Sequence, residues 1–419
     1  MVGGAKSRYV SSTIRYSPFI WIAGASSVAY QLIAFWSFLF GGRRARGLSG
    51  LQLLLIIYCA IYAASICLAA LSGAELVRLL AALYNLSIWV AGAIVFSTVR
   101  QEDQSSIRRS ARLILIVLAA SSVIAYFVFG GIGSVRFNSL VGYAIGGDRL
   151  PENLAANTNL YITSADWSTL GLGSRLSIMA PYPTALGMLA VVLIGLAAPE
   201  RWDVAALTRF SPYVLMAILL SFLCASRATM GSMLLFTLVM FSFYAVRMSR
   251  SLNFKIFLAC LSLVVGISAT LILSDRALSL WESVNSARAD SSSLRFELYT
   301  LSVKSALESH PLLGFGVKER ISAYAIPLGS HSTIFGSMYK TGLFGLLTMG
   351  IIFSYITFSA LKAGFTSSSV YRAGLGAASI AMLPLLIFED IDSIPLVAYL
   401  FFVSLALMER PTQCAAEPD

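Results

Sequence analysis

About eleven apolar runs, each long enough to cross a bilayer as a helix, recur along this 419-residue chain, and nothing else in the sequence constrains its fold as hard. They lie near 19–40, 50–71, 78–97, 113–132, 182–198, 210–226, 229–246, 255–274, 333–359, 370–388 and 393–408. In hydrocarbon every backbone amide and carbonyl must be paired internally, and runs of this length satisfy that as helices. With 58% hydrophobic and only 12% charged residues, the composition excludes a soluble globular enzyme, a disordered chain and a disulfide scaffold. The expected fold is therefore an all-α polytopic membrane protein of about 11 (10–12) transmembrane helices. It forms a single integral membrane domain over 1–419, with two long outer loops, about 134–181 and 275–332, that contain short helices.

Sidedness follows from the cations in the short loops. The clusters Arg43-Arg44-Arg46, Arg100-Arg108-Arg109-Arg112, Arg247-Arg250-Lys255 and Lys362-Arg372 all fall on one side if the spans alternate. The opposite loops Ser72–Val77 and Glu389–Ile394 hold no cation. The net charge of +10 is thus in large part topological and does not point to nucleic acid. One feature disagrees: the same alternation puts Lys6, Arg8 and Arg15 outside, so the first run is re-entrant or interfacial, or a span is miscounted. That run, Phe19–Phe40, is followed by arginines and not by a small-residue cleavage site, so it does not read as a removed signal peptide. The five cysteines show no metal-ligand spacing and no disulfide framework.

The second long loop carries the most information. Leu294 to Glu308 reads as an amphipathic helix with Phe296, Tyr299, Val303 and Leu307 on its apolar face and Ser291–Ser293 as its N-cap. His310-Pro311 ends it, because a residue before proline leaves the α region, and Gly314-Phe315-Gly316 turns the chain. His331 then stands at the mouth of the next apolar helix, which carries Gly336, Gly342 and Gly345. Arg295 with Tyr299 four residues on, His310-Pro311-Leu312-Leu313-Gly314-Phe315-Gly316, His331-Ser332 and Lys340-Thr341-Gly342-Leu343-Phe344-Gly345-Leu346 together resemble the C-terminal signature of the O-antigen ligase and O-antigen polymerase superfamily. Upstream, Ser226-Arg227 and Arg175 with Pro183-Thr184 resemble two further family elements. Tyr299 replaces a common Trp, and Ser332 and Thr184 replace a common Asn.

The resemblance implies glycosyl transfer from an undecaprenyl-diphosphate-linked oligosaccharide on the periplasmic side of a bacterial inner membrane. It implies either a second glycan or a lipid A-core as acceptor, membrane lipids as surroundings, and a chain-length regulator as a partner. It also implies no cofactor and no metal. The residue chemistry agrees. Charge grows on a diphosphate leaving group as the sugar bond breaks, and preorganised guanidiniums meet it bidentately. A sugar hydroxyl needs a base with a pKa near neutrality, which histidine supplies. Arg227 and Arg295 are the expected diphosphate ligands, His331 the base in a single inverting displacement, and Arg175, Tyr299, Lys318 and Arg320 the supporting substrate contacts. His310 reads as a structural residue before proline. The loop acids (Asp148, Glu152, Asp166, Glu282, Asp290, Glu297 and Glu308) read first as partners of loop arginines or of sugar hydroxyls, with a carboxylate in place of His331 as base second, and Trp167, Trp281 and Tyr324 can stack on sugars.

A repeat-unit polymerase is the leading expectation, with a ligase to lipid A-core second. A flippase for the same lipid-linked glycan is the rival of another class, but charges gather at the ends of the spans and not at midplane, which favours surface chemistry. A purely structural assembly subunit has no specific support.

Overall fold

A computed structural model describes residues 9–40, 48–99, 104–130, 133–145, 155, 157–164, 174–248, 289–319 and 327–409. The chain enters through α1 (Tyr9–Ala23) and α2 (Ala29–Phe40), then continues in α3 (Gly50–Leu71), α4 (Leu76–Thr98) and α5 (Gln104–Phe129). A connection with β1 (Val135–Phe137), α6 (Leu140–Ile145), β2 (Leu160–Ser164) and β3 (Arg175–Leu176) leads to α7 (Pro183–Ala197), α8 (Val204–Leu223) and α9 (Arg227–Met248). The helix α10 (Ala289–Ser309) precedes α11 (Thr333–Thr366), α12 (Val370–Phe388), a 3-10 turn (Ile391–Ser393) and α13 (Pro395–Glu409). Seven of these helices are long and apolar enough to cross a membrane, and α2, α7 and α13 are shorter apolar helices, so the protein is an all-α polytopic membrane protein. The expected run at 255–274 lies outside the described residues.

The bundle is built around helices that are apolar on every side. All residues of α7 are buried, as are those of α13 up to Met408. Such helices cannot use an amphipathic stripe; they pack by close approach of small residues. A side-chain carbon added at Gly195 of α7 would meet the Ala378 methyl of α12 at 2.5 Å, and one at Gly187 would meet Thr229 of α9 at 2.3 Å. Polar groups add ties: the Gln52 amide of α3 donates to the Ala93 carbonyl and to Ser97 Oγ of α4.

Cations collect at the lower end of the bundle. Arg112 donates to the Ala197 carbonyl, Arg372 donates to the Met408 carbonyl, and Arg108 pairs with Glu200 at 3.5 Å. The upper end carries the sheet, α10 and the turn between α12 and α13.

The first expected span is corrected. The run 19–40 is two helices, broken at Gly24, whose φ of 79° is a left-handed conformation. Any side chain there would collide with Ser139 of the upper connection. From this turn α1 packs along α5 and α2 along α4. The start of α1 therefore lies at the same end as the start of α5, and the disagreement over Arg15 came from counting two helices as one.

The first long connection holds an expected short helix, α6, and adds a three-stranded antiparallel sheet in the order β1-β2-β3, in which Ser164 pairs with Arg175. One further expectation changes. Helix α10 begins at Ala289, so Ser291–Ser293 lie inside it and do not cap it. Its buried face is Leu298, Tyr299, Ser302 and Ala306, while Phe296 is 74% and Leu307 48% exposed. That face packs on α11 and on the chain leading into it, where Ser302 Oγ accepts the Gly329 amide at 3.0 Å.

Candidate functional site

The upper end is organised by an interruption in α11. Gly342 has φ 64° and ψ −159°, so the 34-residue helix is an outer leg from Thr333 and a long leg from Leu343. A break of this kind orphans carbonyls before it and amides after it. The His310–Gly316 loop supplies the missing partners. The Phe315 and Gly316 amides donate to the Tyr339 and Lys340 carbonyls, both at 2.9 Å, and the Leu343 and Phe344 amides donate to the Pro311 and Leu312 carbonyls at 2.8 and 3.2 Å. At Gly342 an added side-chain carbon would lie 2.4 Å from the Leu312 carbonyl carbon, so glycine is required for both its φ and the close approach. The two glycine-rich motifs are thus two halves of one joint. His310 packs edge-on to Phe315 at 4.8 Å, the structural role expected of it.

Above the outer leg stands His331, with φ 58°. It shares this left-handed conformation with two other non-glycine residues among those described, Met179 and Ala225, the latter two residues before Arg227. Sparsely populated backbone conformations of this kind cost energy and persist where surroundings enforce them. Tyr299 enforces one: its hydroxyl donates to the His331 carbonyl at 2.6 Å and its ring stacks on Phe335 at 4.7 Å. The Tyr299 hydroxyl is therefore already engaged, and burial raises its pKa to about 12. Burial first, then the Arg295 and Lys318 charges, lower the His331 pKa to about 4, below the near-neutral value expected from the sequence, so its imidazole is neutral near pH 7 but a weaker base than a free histidine.

Two guanidiniums, Arg295 and Arg175, act on the Glu389 carboxylate, and a third, Arg227, stands within charge range of Arg175. Arg295 Nη1 lies 3.6 Å from Glu389 and donates to the Phe388 carbonyl at 3.4 Å. Arg175, placed by β3, donates to the Cys224 carbonyl at 3.1 Å, which fixes the turn between α8 and α9. That turn passes through Ala225 and delivers Arg227 as the first residue of α9, exposed. Burial foremost, and then the charges of Arg295 and Arg227, lower the Arg175 pKa, with Cys224 and Glu389 acting in the opposite sense. Burial raises the Glu389 pKa against Arg295, Arg175 and hydrogen bonds from Tyr182 and Thr184, the residues that open α7. Among the described residues no hydrogen bond or ion pair engages Arg227. The cluster carries more positive than negative charge.

Next to it the charges balance. Lys318 Nζ lies 2.6 Å from Asp390 and 3.7 Å from Asp392, and Lys340 Nζ lies 2.5 Å from Asp392 and 3.5 Å from Asp390. Lys340 and Asp392 are fully buried; Lys318 keeps 12% of its side chain exposed. The Trp89 indole donates to Asp392 at 3.4 Å, and Lys340 stands 5.6 Å above the Tyr62 ring. Burial alone would raise the Asp392 pKa, but Lys340 and Lys318 outweigh it and hold its carboxyl below the usual range, whereas burial and the Asp392 charge keep Asp390 above it.

The structure thus brings Arg175, Arg227, Arg295, Tyr299, Lys318 and His331 to one end of the bundle. Arg320, Tyr324, Trp167, Trp281, Asp148, Glu152, Asp166 and Glu282 lie outside the described residues, as does the Asp290 side chain. Glu297 and Glu308 are exposed on α10, and Glu308 pairs with Lys304 at 3.9 Å. The sequence reading missed Glu389, Asp390 and Asp392, which it used only as a loop free of cations, and took Lys340 only as part of a motif. The available signal was three carboxylates in four residues between two apolar runs, a costly placement unless paired. A separate groove of about 640 Å³ lies between the Ser72–Glu75 turn and the His310–Phe315 loop, with Glu319 on its wall. Arg78 lines it, but Arg175, Arg227 and Arg295 do not.

Comparison with known proteins adds a match over about a third of the chain. Residues 212–350 match a family model described as O-antigen ligase, a segment that runs from α8 through the joint at Gly342. The comparison with curated proteins found no match.

Proposed function

We propose that this chain, a member of the O-antigen ligase and polymerase superfamily of membrane glycosyltransferases, joins polyprenyl-diphosphate-linked glycans at the outer face of a bacterial inner membrane. The observation that carries the reading is the surplus of guanidinium charge at Arg175, Arg227 and Arg295 against the single carboxylate of Glu389. Like charges held together repel, and a dianionic diphosphate relieves that repulsion. Arg227 and Arg295 grip the diphosphate, and Arg175 holds the turn that presents Arg227. As the bond from the anomeric carbon to the phosphate oxygen breaks, the electron pair goes to the diphosphate, where these cations stabilise it. The acceptor hydroxyl attacks that carbon from the opposite face and passes its proton to neutral His331. One displacement inverts the configuration, and no step calls for a metal.

Within this reading a repeat-unit polymerase using undecaprenyl-diphosphate-linked oligosaccharides for both donor and acceptor comes first, and a ligase using a lipid A-core acceptor second; the acceptor alone distinguishes them. A chain-length regulator remains a proposed partner. The test is transfer by purified protein in detergent, with no membrane to cross, supplied with lipid-linked glycan and either acceptor. Elongation of lipid-linked glycan, lost in Arg295→Ala and reduced at least a hundredfold in His331→Ala, is the expected result. Near-normal turnover of His331→Ala removes it as the base, and absence of any transfer by an active flippase of the same lipid favours transport.

A further inference from the structure

We infer that Lys340 and Asp392 are positioning residues: their buried ion pair, extended by Lys318 and Asp390, locates the turn Glu389–Ser393 on which Arg295 and His331 are both mounted. The inference rests on the transferase reading and adds a component that the reading does not contain.

The turn is a shared mount. The Thr333 amide and hydroxyl both donate to the Glu389 carbonyl, at 3.1 and 2.8 Å, and the Ile391 amide donates back to Thr333 Oγ1 at 3.1 Å. Thr333 follows His331 by two residues, so these three bonds tie the histidine's backbone to the turn. The Glu389 carboxylate reaches Arg295 on the other side. The Asn157 side chain anchors the far end of the turn by donating to the Ser393 carbonyl at 3.0 Å. Moving the turn moves both groups together.

Lys340 is aimed at it by the break in α11. Its own carbonyl is taken by the Gly316 amide, and its ammonium points between Asp392 and Asp390. Lys318 enters from the other strand of the same joint. With Lys340 1% and Asp392 0% exposed, beneath Tyr58, Tyr62 and Trp89, neither side chain is reachable by a substrate. Burying four charges is costly, and apolar residues of similar volume often stabilise a fold as well or better. What an ion pair adds is direction: a hydrophobic contact slides, while an ammonium between two carboxylates fixes one height and one orientation. Stability and positioning can therefore be separated by experiment.

The experiment is the double variant Lys340→Met/Asp392→Leu, purified in detergent and assayed with lipid-linked glycan. It is expected to fold, to keep the donor KM within about threefold because Arg227 is not mounted on the turn and still holds the diphosphate, and to lose at least tenfold in kcat because His331 and Arg295 lose register. Wild-type kcat in the folded double variant overturns the inference. Should that variant fail to fold, Lys318→Met/Asp390→Leu removes the more exposed half of the network, and its unchanged kcat overturns the inference equally. Arg295→Ala runs beside both. Normal transfer there overturns the transferase reading and this inference with it, whereas a silent double variant beside an inactive Arg295→Ala overturns this inference alone.

Discussion

Glu389 and Asp390 are neighbours in sequence, yet they belong to charge clusters of opposite character. Around Glu389 the arginines outnumber the carboxylate, and Arg227 projects outward with no partner among the described residues. Around Asp390 two ammonium groups face two carboxylates, and nearly all of it is sealed from solvent. The contrast separates two uses of charge at one end of a membrane bundle. An open, unbalanced cluster is prepared for an anion that is not part of the chain; a closed, balanced one is framework.

The sharpest break of that contrast comes from removing one charge on each side. Lys340→Met strands two buried carboxylates with a single ammonium, and a loss of about 3–5 kcal/mol in unfolding free energy is expected, measured by thermal or denaturant unfolding in detergent. Arg227→Ala is expected to leave stability within about 0.5 kcal/mol of the parent, since an exposed and mutually repelled cation contributes little to folding. In a transfer assay, though, Arg227→Ala should lose about 10²–10³ in kcat. Equal destabilisation by the two substitutions would erase the distinction.

Acidity sharpens it further. His331 has its pKa lowered to about 4 in the folded protein against about 6.5 unfolded, so its contribution to stability is complete above pH 6.5 and declines as pH falls toward 4. The acid limb of kcat/KM is correspondingly expected well below pH 6, where an unperturbed histidine would already be protonated. Lys318→Met destabilises the buried network in the same sense as Lys340→Met, and its effect on this pH profile is the smallest of those expected. Removing one repelling cation raises the His331 pKa and shifts that limb toward higher pH. A limb that stays in place in Lys318→Met, or that lies near 6.5 in the parent, would contradict this account.

Much of this was open to reading in the sequence, and the failures have physical causes. The apolar runs 210–226 and 229–246 leave only two residues between them, so a tight hairpin at Ser226-Arg227 is legible in their spacing, and α8 and α9 form it. His310-Pro311 and the following glycines announced a turn, but not that its amides would serve a broken helix some 25 residues later, since hydrogen bonds across such a distance leave no local pattern. The run 19–40 kept its hydropathy through Gly24, so composition showed one span where backbone conformation makes two helices. On α10 the stripe Phe296-Val303-Leu307 has helical spacing, yet periodicity cannot tell a face turned to other helices from one left outside; Ser302 and Ala306, unremarkable as letters, are where contact occurs. Arg175 was found by resemblance, while the short sheet that holds it was not, because strands of two to five residues leave no alternation to detect. The acids of the Glu389–Asp392 turn were overlooked because sidedness weighs only cations.

The joint at Gly342 also sets an elevation. Below it the leg Leu343–Thr366 extends roughly 36 Å at 1.5 Å per residue, a little more than the ~30 Å of a bilayer's hydrocarbon core. By length alone this leg can cross the oily layer before the bend is reached, which would set the outer leg, and His331 just before it, at headgroup depth. In the proposed reaction, a lipid carrying its cargo on a phosphate head would then meet the arginine cluster by drifting sideways, without being hoisted from its leaflet.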